Sequence, residues 1–252
     1  MANRDPLSSH FVAADHDVSV RFLGDQEMRI ESPTISPAGG EDGYASMAEQ
    51  AYHAIRDQLI MLDIAPGAPI NEQALALELG MGRTPVREGL KKLELDHLVV
   101  SYPRRGTFAT QVDITDLATV SEMRVVLEPL AARRAAISRP ESRAALSDKA
   151  DQINKMDLAR VSNRALMEYD IDVHRLIYGA TGNAHLEETL VRLDNLATRI
   201  WCLVLDRLPT IGDHLQEHVG LLRAIADGLP DRAAELALAH TMHFEQSVRE
   251  VL

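Results

Sequence analysis

The chain has 252 residues, 46% of them apolar, and its 26 basic and 38 acidic residues give a formal net charge of −12. That length allows two domains with substantial cores, the 4% aromatic content with one tryptophan favours an Ala/Leu-rich helical protein, and the acidic balance argues against a protein that coats nucleic acid without regard to sequence. Cys202 stands alone and so forms no internal disulfide, and no run approaches the ~20 apolar residues of a membrane span.

Residues 1–45 carry three basic and eight acidic residues, hold no sustained period and end in a Ser/Pro/Gly-rich run. They read as a disordered acidic tail, and without a basic-then-apolar signal the expected setting is cytoplasmic. A helix is predicted over Ala48–Leu62. Next, Asn71 can cap a short helix whose apolar residues are Leu75, Leu77 and Leu79, and Gly80 lets the chain leave it in a left-handed conformation. Thr84-Pro85 reads as an N-cap followed by proline at the first helical position. In the helix that follows, Val86, Leu90 and Leu93 make a buried side while Arg83, Arg87 and Lys91 step every four residues along another. Arginines beside unpaired N–H groups at a helix start suit phosphates and guanine edges.

Two short β-prone runs follow, Val99–Tyr102 and Thr107–Val112, around Pro103-Arg104-Arg105-Gly106. This is a hairpin signal with a basic tip. A hairpin directly after a helix-turn-helix is a wing, and arginines at its tip can reach the backbone or the minor groove. Residues 83–105 hold six basic and three acidic residues, so the attraction for DNA is local within an acidic chain. The fold predicted is mainly α. A winged helix-turn-helix of three helices and a hairpin fills residues 46–112, and an all-helical antiparallel bundle fills 113–252.

In the bundle, helices are predicted over Leu117–Arg139, Ser142–Met156, Arg164–Ala180, Leu186–Leu205, Asp213–Asp227 and Arg232–Leu252, with breaks at Pro140, Gly182-Asn183, Pro209–Gly212 and Gly228–Pro230. Cys202, beside Trp201 in an apolar run, reads as a plain buried residue. Six of the ten histidines lie between positions 174 and 243. Asp170 and His174, four apart, share a helix face. His218 and His240 lie 11 residues before and after Leu229, so an antiparallel hairpin brings them to equal height. One Asp and three His from three helices make an N3O donor set suited to Zn²⁺, Ni²⁺, Mn²⁺ or Fe²⁺. His214 and His243 straddle the same turn one helical level farther out, and spacing alone does not choose between the pairs. His97 and His185 read as surface or hydrogen-bonded residues.

The run Pro66-Gly67, Asn71-Glu72, Leu75-Ala76, Arg83–Glu88, Leu90, Leu93 and Arg105-Gly106 resembles the winged helix-turn-helix of the GntR family of bacterial transcription regulators. The resemblance implies that Arg83 and Arg87 contact DNA, supported by Thr84 and the wing residues Arg105 and Gly106, and that Arg56 lies near the phosphates. Two positions depart from the family pattern. Gly82 stands where serine or threonine is usual, and Gln73 stands where arginine is common. The segments Asp170–Asn183, Glu122–Glu128 and Glu217–Ala226 resemble the FCD domain, the helical effector domain of the FadR subfamily. It implies a divalent metal on Asp170, His174, His218 and His240, with Asp172 off that face and solvated. Arg124 matches an arginine that faces a ligand carboxylate, or else forms a structural salt bridge to a neighbouring helix.

Together these readings point to a metabolite-responsive repressor, not an enzyme. It is expected to be a homodimer on a two-fold symmetric double-stranded operator, to respond to a small organic acid and to have no membrane association. The rival readings are a metal-dependent hydrolase or lyase using the Asp/His cluster, and a regulator whose metal is structural or is itself the signal.

Overall fold

The computed structural model describes residues 46–208 and 211–251; the tail expected over 1–45 lies outside them. The first helix, α1 (Met47–Ile60), is capped by Ser46, whose hydroxyl accepts from the Glu49 N–H, and its buried side is Ala51, Ile55, Leu59 and Ile60. Helix α2 (Glu72–Glu78) is capped as the sequence suggests, the Asn71 side chain accepting from Gln73 N and Ala74 N at 3.0 Å each. Gly80 follows with φ +61, in the left-handed region that glycine adopts without steric cost.

Helix α3 (Arg83–Leu95) starts earlier than expected. Its N-cap is Gly82, in extended conformation, and Thr84 lies within the first turn instead of capping it. The physical reason is that Pro85 is tolerated anywhere in that turn, where N–H groups have no intrahelical partner, so proline does not fix the boundary to one residue. Val86, Leu90 and Leu93 are buried as the period requires, and so is Gly89. A Cβ at Gly89 would meet the backbone nitrogen of Tyr52 at 2.9 Å, so glycine is what lets α3 lie this close to α1.

The wing is a hairpin of β2 (Val99–Tyr102) and β3 (Gly106–Ala109), in register Val99↔Ala109 to Tyr102↔Gly106. Arg104 and Gly106 take positive φ at its tip. A third strand, β1 (Pro69–Ile70), pairs on the far side of β3 to give the antiparallel order β1-β3-β2. Two residues beginning with proline carry no strand period, which is why the sequence does not announce it.

The bundle comprises α4 (Asp116–Ala136), α5 (Pro140–Lys155), α6 (Asn163–Gly179), α7 (Ala184–Val204), α8 (Ile211–Ala226) and α9 (Pro230–Val251). Helix α4 packs along α9, α5 along α8, and α6 and α7 against each other, while α8 and α9 form the hairpin across Gly228. Cys202 sits half-buried against this core, and burial pushes its thiol up to about 12. Asp172 is not solvated: it pairs with Lys149 of α5 at 3.2 Å, because the α5–α6 contact covers that side of the helix.

The winged helix-turn-helix and the bundle are joined by specific polar contacts. Arg164 at the start of α6 makes a two-pronged bond to Asp63, 2.8 Å on each oxygen. Arg199 of α7, 2% exposed, donates to the Thr110 hydroxyl at 2.6 Å and to the Thr110 carbonyl at 2.7 Å. That hydroxyl in turn donates toward the carbonyls of His97 and Leu98, so one guanidinium holds the base of the wing and the end of α3 together. Arg199→Ala is expected to lower unfolding stability by about 1–3 kcal/mol, since it strips charge-assisted bonds from buried acceptors, and to split one thermal transition into two. Denaturant titration and calorimetry read both; a single unshifted transition would show that the clasp contributes nothing.

Candidate functional site

The first candidate surface is the outer face of α3 with the wing. Arg83, Thr84, Arg87, Arg105 and Gly106 are all exposed. Arg83, Arg87 and Gly106 line one groove with Asn71, Glu72 and Thr107, so the start of α3 and the wing tip open onto a common concavity. With glycine at the cap no side chain occupies the first-turn N–H groups of α3, and a phosphate is a natural partner for them. Arg105 turns to the other face of the wing, its guanidinium 5.9 Å from the centre of the Tyr102 ring. Thr84, expected as the cap, sits exposed beside Arg83 in the first turn.

Arg56 requires correction. It is 4% exposed, bonds to Asp57 at 2.7 and 2.9 Å and lies over the Tyr52 ring. The face of α1 that carries it is covered by the rest of the protein, so it is not on the groove. Sequence reasoning missed Glu72 as a member of the surface. Its carboxylate accepts from Arg87 at 3.0 and 3.3 Å and lies 3.9 Å from Arg83. The two arginines are 11 and 15 positions away in sequence, beyond any local periodicity.

The second candidate lies inside the bundle. Asp170 and His174 from α6, His218 from α8 and His240 from α9 are all buried, and one ligand atom from each falls within 4.8 Å of the others. His174 Nε2 lies 3.3 Å from His218 Nε2 and 3.9 Å from Asp170 Oδ2, and His218 Nε2 lies 3.7 Å from Asp170 Oδ1. The tautomers follow from the neighbours. Glu128 Oε1 accepts two N–H groups of Arg124, at 2.9 and 3.0 Å, and the Tyr178 hydroxyl at 2.6 Å. The Tyr178 proton is thereby committed, so His174 Nδ1, 3.1 Å from that hydroxyl oxygen, is the donor and Nε2 carries the lone pair. His240 Nδ1 faces Glu217 Oε2 at 3.1 Å, while its Nε2 is buried with no hydrogen-bond partner, as is Asp170 Oδ1.

Electrostatics keep these imidazoles neutral. Burial first, and then the adjoining imidazoles, push His174 and His214 well below the ordinary histidine value. Burial does the same to His218, and burial with Arg124 nearby takes His240 down to about 3. Burial, reinforced by Asp194, raises the Asp170 carboxyl well above its usual range. The His174 Nε2 lone pair and the His240 Nε2 and Asp170 Oδ1 atoms, which have no hydrogen-bond partner, converge on one buried point. A divalent cation fits this donor set of three nitrogens and one oxygen, the rings of His174 and His240 being held from behind by Tyr178 and Glu217 while His218 Nδ1 is buried without a hydrogen-bond partner.

Arg124 is paired within the bundle. Of the two roles the sequence left open, the structure displays the salt bridge: besides Glu128 it lies 3.4 Å from Asp194 of α7 and stacks 5.3 Å over Phe244. Burial opposes its charge, and Glu128 and Asp194 outweigh that effect. Its Nε and Nη2 are spent on Glu128, which carries the effect of Arg124 to His174 through Tyr178. His243 stays outside the inner set beside Glu217 at the rim, whereas His214, buried, lies 3.6 Å from Asp170 Oδ1 and also faces Glu217. His97 and His185 are exposed.

Comparison with known proteins agrees with this division. Residues 47–109 match the description "Bacterial regulatory proteins, gntR family" and residues 119–243 match the FCD domain. The chain is similar to the HTH-type transcriptional repressor RspR of Escherichia coli strain K12, 23% identical over 81% of this chain and 89% of that one. It is also similar to the Nta operon transcriptional regulator of Aminobacter aminovorans, 27% identical over 72% of this chain and 85% of that one. Among solved structures, E. coli McbR/YncC shares the fold with a TM-score of 0.71 at 18% identity, covering 82% of this chain and 99% of that one. With a recognition head at one end and an FCD bundle behind it, the chain belongs to the GntR family of bacterial regulatory proteins.

Proposed function

We propose that this protein is a metabolite-responsive, sequence-specific repressor of the FadR subfamily, working as a homodimer on a two-fold symmetric operator. In this reading its bundle holds a divalent metal (Zn, Ni, Mn or Fe) and a small organic acid. The observation that carries the reading is a pairing within one molecule. Exposed Arg83 and Arg87 open onto a groove beside the wing, while a buried N3O set, complete with oriented imidazoles, sits in the domain behind.

The metal, when bound at Asp170, His174, His218 and His240, supplies a fixed positive centre to which a carboxylate is attracted. The chain does the rest. Tyr178 and Glu217 hold the rings of His174 and His240, and Arg124 fixes Tyr178 through Glu128. Two heads joined through their bundles gain by effective concentration over one winged helix with few contacts. A ligand that favours one placement of the heads by ~1–3 kcal/mol changes operator occupancy about 5–150-fold. A hydrolase or lyase built on the same cluster would leave the recognition head without a role, and the family is one of regulators.

Arg87→Ala is expected to lower operator affinity about 5–150-fold, the loss of a bidentate guanidinium contact worth about 1–3 kcal/mol. Fluorescence anisotropy at fixed salt reads it, and an unchanged affinity would overturn the recognition-helix assignment. His218→Ala is expected to deplete bound metal in purified protein by elemental analysis and to blunt the thermal shift given by organic acids. Full metal occupancy in that variant would remove His218 from the ligand set.

A further inference from the structure

We propose that the bundle carries a second, outer divalent-cation site formed by His214, Glu217 and His243, separate from the buried set at Asp170. The three residues place one ligand atom each within 4.8 Å of one another, at the rim where α8 meets α9. Helix periodicity explains the arrangement. On α8, His214, Glu217 and His218 fall at positions i, i+3 and i+4, and on α9 His240 and His243 are three apart, so His218 and His240 face the interior, His243 faces the rim, and the buried His214 lies between them.

Two imidazoles separate the sites. His214 and His240 stack with ring centres 4.1 Å apart and planes inclined by 31°. His214 directs Nε2 inward, 3.6 Å from Asp170 Oδ1, and Nδ1 outward, 3.9 Å from Glu217 Oε2. His240 likewise directs Nδ1 at Glu217 Oε2, 3.1 Å away. The Glu217 carboxylate is therefore divided. Oε2 accepts from His240 and orients that ring for the inner site, while Oε1 is in contact with His243 Nδ1.

His214 Nδ1 and His243 Nδ1 both face the Glu217 carboxylate, so two imidazole nitrogens and one carboxylate converge on the place a cation would take. Two imidazoles and one carboxylate suit Zn²⁺, Ni²⁺ or Cu²⁺. Glu217 is about one-third exposed and His243 about half, so water can complete the coordination. Three ligands at a solvent-facing rim bind more weakly than four in the interior, and the sites fill in that order.

The test is to titrate Ni²⁺ or Zn²⁺ alone into metal-stripped full-length protein, by calorimetry with elemental analysis of the gel-filtered product. Two equivalents per chain are expected, the second weaker. His243→Ala, at an exposed position, is expected to lose the weak equivalent and keep the tight one, and His218→Ala to do the reverse. A single equivalent in the native protein, or a second equivalent that survives His243→Ala, overturns the outer site. Neither result bears on the inner one, which His218→Ala reports separately.

Discussion

One carboxylate oxygen sets the chemistry of the bundle. Glu128 Oε1 accepts from two guanidinium nitrogens of Arg124 and from the hydroxyl of Tyr178, all in the interior. Burial pushes the Glu128 carboxyl up, yet three donors converging on one oxygen require an anion there, and Arg124 supplies the countercharge. A buried ion pair of this kind is weak evidence of stability, and its consequence here is orientation. It fixes the single proton of Tyr178, which fixes the proton of His174 on Nδ1, which leaves Nε2 facing Asp170 and His218. Replacing Arg124 would leave Glu128 uncompensated and release the chain of protons that ends at the ligand face.

Helix α7 carries that order toward the DNA-reading head. Asp194 touches Arg124, Trp201 lies edge-on to His214 with centres 4.3 Å apart, and Arg199 clasps Thr110. These residues lie on one 21-residue helix, so a shift that repacks the histidines is delivered to the base of the wing without a flexible segment between. A ligand moves such an element only by the difference in its affinity for two placements. Packed helices favour discrete placements over continuous deformation, and in the homodimer proposed above that discreteness would let a small shift at the imidazoles become a change in the spacing of two heads.

Much of this was legible in the sequence, for identifiable reasons. Asn71, Gly80 and the Val86/Leu90/Leu93 repeat act within one or two turns, so local pattern reveals them. The convergence of His218 and His240 followed from equal spacing about Leu229, a geometric constraint that survives folding because the α8–α9 turn is short. What escaped depends on contacts between distant segments. Arg56 was placed near the phosphates by resemblance alone, and nothing local says which side of α1 is covered. The Arg124–Glu128 spacing of four is visible in sequence, whereas Asp194, the partner on α7, is not. Gly82 and Pro85 both permit a helix start, so the boundary of α3 was ambiguous to pattern and was decided by packing.

The same long-range pairing explains how an acidic chain can be selective for DNA. Glu72 sits in the groove against Arg87 and near Arg83, and an exposed ion pair of this type is worth about 0–1 kcal/mol. That is too little to keep the arginines from DNA, but enough to hold the Arg87 fork in one orientation. A phosphate approaching the groove meets a carboxylate already bonded to that fork, so backbone attraction is reduced. A guanine edge presents two acceptors to the free side of the guanidinium and no negative charge to Glu72. On the operator proposed above, such a carboxylate would lower affinity for arbitrary duplex more than for the cognate site, and the chain charge of −12 would weaken the non-specific background further.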